Sequence, residues 1–289
     1  MTFDPNAQLD PTSVTDARGG GRMGGRGGGL AVGGGGLGLV IAIIYVLLGG
    51  NPGALVGGGS GTAPDANAPN SSALASCKTG TDANQREDCQ IVGYVNSIEK
   101  YWTGALQGYT HAETTIFSEG VSTGCGDATS ATGPFYCPPD KGVFLDLTFF
   151  EELERRFGAK DAPFARAYVL AHEYGHHVQN LAGDLQPGSD TGPTSRAVRT
   201  ELQADCYAGV WANHAADDKF MQPLTPEEIA AADKAAAAVG DDHIQESSGG
   251  TVDPDSFSHG TSEQRVRWFT TGYKSGNPDD CDTFNATTL

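Results

Sequence analysis

The stretch "YVLAHEYGHHVQNLAGD" (residues 168–184) carries three of the seven histidines in the chain. His172 and His176 stand four positions apart. On a helix of ~3.6 residues per turn their imidazoles leave the same face, one turn apart. That separation lets both reach one zinc ion at ~2.0–2.1 Å. Glu173, about a quarter turn away, would flank the ion and address its water. Zinc lowers the pKa of such a water to about 7, and a neighbouring carboxylate can then take its proton as general base. The rest of the helix is apolar (Ala167, Tyr168, Leu170, Ala171, Val178, Leu181), a setting in which unpartnered ionisable groups are costly. His177 points about 100° away from His176 and reads as a satisfied core or surface histidine.

A hydrolytic zinc site wants three protein ligands and one open position. In "TELQADCYAG" Glu201 and Asp205 share a helix face, again four apart and among apolar neighbours. Glu201 is the expected third ligand, and Asp205 would accept the free ring N–H of a ligating histidine and so fix its tautomer. Carbonyl hydrolysis also calls for a donor to the oxyanion. His259, in "SFSHGTSEQRVRW", is the candidate, with Arg265 orienting it or pairing with an acid. His111, His214 and His243 have no such context.

These residues need elements to hold them. Pro163 opens the histidine helix, which should stop near Gly183, and "DLQPGSDTGPTS" must be a loop. "SRAVRTELQADCYAGVWANHAADD" returns to helix. Thr225, Pro226 and Glu228 form a capping-box start for another, and "TSEQRVRWFTTGYKSG" is a final amphipathic helix. Earlier, "DCQIVGYVNSIEKYWTGAL" has helical rhythm, whereas "TTIFSEG" and "GPFYCPPDKGVFLDLTFF" read as short strands, with "KGVFLDL" alternating. The sum is an α+β domain: a small sheet, then successive helices.

Lys plus Arg number 18 against 36 Asp plus Glu, a net charge of −18, which argues against nucleic acid as a partner. The six cysteines all lie beyond residue 70 without a CxxC pair. Their even number fits disulfides in an oxidising compartment. Neighbours in sequence suggest Cys77 with Cys89 and Cys125 with Cys137, leaving Cys206 for Cys281. Residues 1–29 are polar, Gly-rich and expected to be a disordered cytoplasmic tail. Residues 30–50 carry no charge and are long enough for one transmembrane helix, since about 20 apolar residues cross a bilayer. Arg18, Arg22 and Arg26 precede this span and no basic residue follows until Lys78, which orients the N-terminus inward and the rest outside the cytoplasm. Residues 51–75 form a flexible linker to a folded domain over 76–289.

"GPFYCPPDKGVFLDLTFF", "AYVLAHEYGHHVQN", "ELQADCYAGVWAN" and "SHGTSEQRVRWFTTGY" together resemble the bacterial neutral zinc metallopeptidase family of single-span membrane proteins. The resemblance covers most of residues 90–275 in order and implies a zincin-like catalytic domain. The Glu-x-x-x-Asp helix is also similar to that of CAAX-type membrane metalloproteases, in which the Glu completes the zinc site and the Asp supports it. In those enzymes a Ser/Thr-His-Pro segment followed by Arg lies at the active site. Here Gly260 stands where they have Pro. The expected function is a membrane-anchored zinc endopeptidase that binds an extended protein or peptide substrate along an edge strand such as "KGVFLDL". The competing readings are a zinc-stabilised extracytoplasmic binding module and a zinc amidase acting on cell-wall peptides.

Overall fold

A computed structural model describes residues 2–18, 73–151, 163–185 and 190–289. The four-stranded sheet has the order β1-β2-β6-β5, with β1 Val14–Asp16, β2 Glu113–Phe117, β6 Gly142–Asp146 and β5 Phe135–Cys137. β1, β2 and β6 run parallel, and β5 pairs antiparallel with β6, Tyr136 opposite Val143. Between β2 and β5 the chain makes a separate hairpin, β3 Gly120–Thr123 with β4 Gly126–Thr129. All five residues of β6 are buried. The alternation in "KGVFLDL" is therefore not an inside–outside pattern: strands flanked and covered on both faces bury every position. The same topology corrects the edge-strand expectation, because β6 lies between β2 and β5 and has no free edge. Among the described residues β5 ends the sheet on one side and β1 on the other.

The helices are α1 Gly80–Gln85, α2 Glu87–Ala105, α3 Pro163–Ala182, α4 Arg196–His214, α5 Pro226–Ala238, α6 Asp241–Ser247 and α7 Ser262–Ser275. Their ends follow local chemistry. α3 starts at Pro163 and stops before Gly183, whose φ of 83° suits the left-handed position beyond a helix. Capping boxes open α5 (Thr225 with Glu228) and α7 (Thr261 with Gln264). The core runs between the sheet and α2, α3 and α4, with Val92, Val95, Ile116, Leu145, Leu170, Tyr174, Leu202 and Trp211 buried. Three disulfides join Cys77 to Cys89, Cys125 to Cys137 and Cys206 to Cys281, the pairing that sequence proximity suggests.

The N-terminus departs from expectation. Residues 2–18 are part of the fold rather than a disordered tail: β1 joins the sheet, and Phe3, Leu9 and Val14 are buried in the main core. The segment is too polar to fold alone, and its order comes from the strand and helix it lies against. Among the described residues no helix is long and apolar enough to cross a membrane. The span expected at 30–50 lies outside them, as does nearly all of the linker expected at 51–75.

Candidate active site

Helices α3 and α4 cross where Gly175, inside the His-Glu-Tyr-Gly-His run, meets Ala204. A Cβ on Gly175 would sit 2.9 Å from the Ala204 Cα and carbonyl oxygen, so only glycine permits this approach. The contact is what lets side chains of α4 reach those of α3. Glu201 Oε2 comes within 3.2 Å of His172 Nε2, and Glu201 Oε1 within 3.5 Å of His176 Nε2. These side chains are only 9–12% exposed. One ligand atom from each of the three lies within 4.8 Å of the others.

The cluster fits zinc. Tetrahedral ligands at ~2.0–2.1 Å from zinc stand roughly 3.3 Å apart, close to the spacings seen. The donor set is borderline-soft nitrogen plus one carboxylate, and both imidazoles present Nε2 because their Nδ1 atoms are engaged elsewhere. His172 Nδ1 lies 2.8 Å from Asp205 Oδ1, and His176 Nδ1 lies 2.8 Å from Gln179 Oε1. Such outer contacts fix the tautomer and the ring plane.

Asp205 is the centre of a buried charged cluster. Its carboxylate accepts from Arg265 Nε and Nη2 at 2.8 and 2.9 Å, and from the Tyr168 hydroxyl at 2.6 Å. Burial opposes the charge on Asp205, but Arg265 and His172 outweigh it and hold the carboxyl down at about 2. Arg265 thus pairs with an acid and does not orient His259. Burial likewise opposes charge on His172, yet Asp205 lifts the imidazole to about 10. His176 has no acid on its Nδ1, and burial pushes it below its ordinary value. Glu201 is held low by the two imidazoles against the effect of burial.

Glu173 is buried beside this cluster, and burial raises its carboxyl to about 7. The backbone of Tyr136 on edge strand β5 is near enough to oppose that rise slightly, which places the carboxylate at the border between α3 and the sheet edge. His259 is also buried and lies within electrostatic reach of Glu201. Asp241, the first residue of α6, lies 3.1 Å from His259 Nδ1. The other Asp241 oxygen accepts the backbone N–H groups of Ser258, His259 and Gly260 at 2.7–2.9 Å. Gly260 has φ of 91° and donates its N–H; proline could do neither, so this loop is built differently from a Ser-His-Pro segment. The His259 Nε2 is buried without a hydrogen-bond partner among the described residues.

The sequence-derived set His172, Glu173, His176, Glu201 and Asp205 is therefore brought together, with His259 close by. His177 stands apart, its Nδ1 on the Tyr136 hydroxyl and its Nε2 on the Thr110 carbonyl. Sequence reasoning missed Gln179 and Asp241. Gln179 was within reach, since position i+3 of a helix neighbours His176. Asp241 is 18 residues before His259 with no pattern joining them.

Two imidazoles and a carboxylate converging from crossing helices, with a second carboxylate beside them, are the kind of donor set that zinc hydrolases use. The chain belongs to the family described as "Putative neutral zinc metallopeptidase", whose profile matches residues 6–284. It is 49% identical over 226 residues to an uncharacterized protein of Mycobacterium tuberculosis, covering 75% of this chain and 77% of that one. It is 44% identical over 183 residues to the uncharacterized protein YpfJ of Escherichia coli, covering 61% and 62%. No solved structure matches the chain.

Proposed function

We propose that the protein is a zinc endopeptidase that works outside the cytoplasm, with His172, His176 and Glu201 as zinc ligands and Glu173 as general base. The observation that carries this reading is the packing of Glu173, with its raised pKa, against a three-donor cluster whose imidazoles are already held with Nε2 toward the shared site. Bound zinc would polarise the scissile carbonyl and acidify the attacking water.

Glu173 takes a proton from the water as its oxygen bonds to the carbonyl carbon. The same carboxyl then delivers that proton to the departing amine nitrogen as the C–N bond breaks. Burial, which lifts this carboxyl to about 7 in the metal-free protein, favours its taking up a proton. His259, its Nδ1 side held by Asp241, would donate from Nε2 to the carbonyl oxygen as negative charge grows there. The substrate would lie along β5, the sheet edge nearest Glu173. Three disulfides support an oxidising compartment.

Zinc analysis combined with peptide-library cleavage tests this reading. Glu173→Gln should keep one zinc per chain and lose at least ~10²-fold in cleavage rate, the lower range for a general base. His172→Ala and Glu201→Ala should lose the metal itself. Full cleavage by the Gln variant would remove Glu173 from the mechanism. A wild type that holds zinc and cuts nothing would leave a binding module.

A further inference from the structure

Residues 2–18 carry information about how the chain meets a membrane. They are gripped along their length. Asn84 accepts from the Phe3 N–H at 2.9 Å and donates to the Phe3 carbonyl at 3.0 Å. Asn96 does the same for Asp10, at 2.6 and 3.2 Å. Two side chains on α1 and α2 thus act as strand partners for the segment. β1 then pairs with β2, Val14 opposite Thr114 and Thr15 opposite Thr115. Beyond it Arg18 makes a two-pronged contact with Asp16 at 2.9 Å and reaches Asp88 on α2 at 3.0 Å.

The rest of the fold is cut to receive this segment. Gly93 sits inside α2, where glycine costs about 1 kcal/mol relative to alanine. A Cβ there would lie 2.3 Å from the Phe3 ring, and one on Gly80 would lie 1.8 Å from the Asp4 carbonyl oxygen. These glycines have a packing reason only while the segment is docked. Arg18, one of the three arginines that orient a membrane span by charge, is here consumed by two acids of the fold.

A single crossing between Arg18 and Ala73 would set β1 and β2 on opposite sides of an apolar layer ~30 Å thick. Hydrogen-bonded strands in one chain cannot be so divided. We infer that residues 2–18 are a built-in strand of the catalytic domain and lie in the same compartment as its disulfides and His172–His176–Glu201 cluster. Residues 19–72 then begin and end on one side of any membrane they touch. This inference stands apart from the peptidase reading and survives if no peptide is cut.

The test uses the full chain in a bacterial cell, with an epitope tag before residue 1 and external protease added to spheroplasts. The tag and the catalytic domain should be cut together or spared together. A tag protected while the domain is digested, or the reverse, overturns the inference. A second measurement addresses docking itself: Thr15→Cys with Thr115→Cys. Neighbouring strands stand about 4.8 Å apart, inside the disulfide range of roughly 4.4–6.8 Å, so the pair should crosslink on mild oxidation. Cysteines that both react with a thiol reagent yet never crosslink would equally overturn it.

Discussion

His172 and His176 leave one face of one helix, yet their Nδ1 atoms meet opposite surroundings. His172 is held by charge: Asp205, itself clamped by Arg265 and Tyr168. His176 is held by neutral amides. Gln179 accepts from it and donates to the Thr200 carbonyl and to Gln203 at 2.7 and 2.9 Å, and Gln203 donates to the Cys281 carbonyl at 3.1 Å. That relay ends at the turn tied to α4 by the Cys206–Cys281 disulfide. The lesson is a division of labour. The charged arm makes its imidazole a stronger base, whereas the neutral arm aims its imidazole without adding charge near the three-donor cluster.

Breaking the charged arm should have the largest effect. Asp205→Ala leaves the buried Arg265 guanidinium without its partner, and such losses typically cost about 3–5 kcal/mol. Zinc affinity should fall roughly 10–100-fold in addition, as for lost outer partners of ligating histidines. Chemical denaturation of the metal-free protein and competition with a chelator measure the two separately. Gln179→Ala should do less: about 1–3 kcal/mol from the stranded Thr200 and Gln203 groups, and an affinity loss near the lower bound of about tenfold. If Gln179→Ala harmed zinc binding more than Asp205→Ala, the assignment of strong and weak arms would be reversed.

The same contrast marks how far sequence could see. Helix geometry converts spacing into position, so His172, His176, Glu201 and Asp205 were legible as two i, i+4 pairs, and apolar neighbours said both helices were buried. What was not legible depends on partners distant in sequence. β1 is three residues long and gains its stability from β2, about a hundred positions later. β6 was expected at a sheet edge because nothing in it announces a strand on either side. Asp241 helps place His259 through three backbone hydrogen bonds, and no spacing rule anticipates a carboxylate that serves a loop from another helix. Gly260 misled in the other direction. It looked like a defect in a Ser-His-Pro pattern, whereas its positive φ and free N–H are what the Asp241 contact requires.

The finest distinction between the arms is a proton. In the metal-free protein Asp205 lifts His172 to about 10 from 6.5. The sign follows: the folded state favours charged His172, a contribution to stability that is full below 6.5 and lost as pH rises through about 10. Zinc requires the neutral ring, so inside that window loading must expel the His172 proton. His176, lowered by burial, has none to give, and Glu201, held low, is already ionised. Asp205→Asn removes the charge but keeps the shape, leaving burial and Arg265 to push His172 down against the remaining hold of Glu201 alone. Wild type should therefore release about one more proton per zinc than Asp205→Asn, read by calorimetry in buffers of different ionisation heat. Equal release would mean that both imidazoles are neutral before the metal arrives, and that the charged arm aims His172 just as the amide arm aims His176.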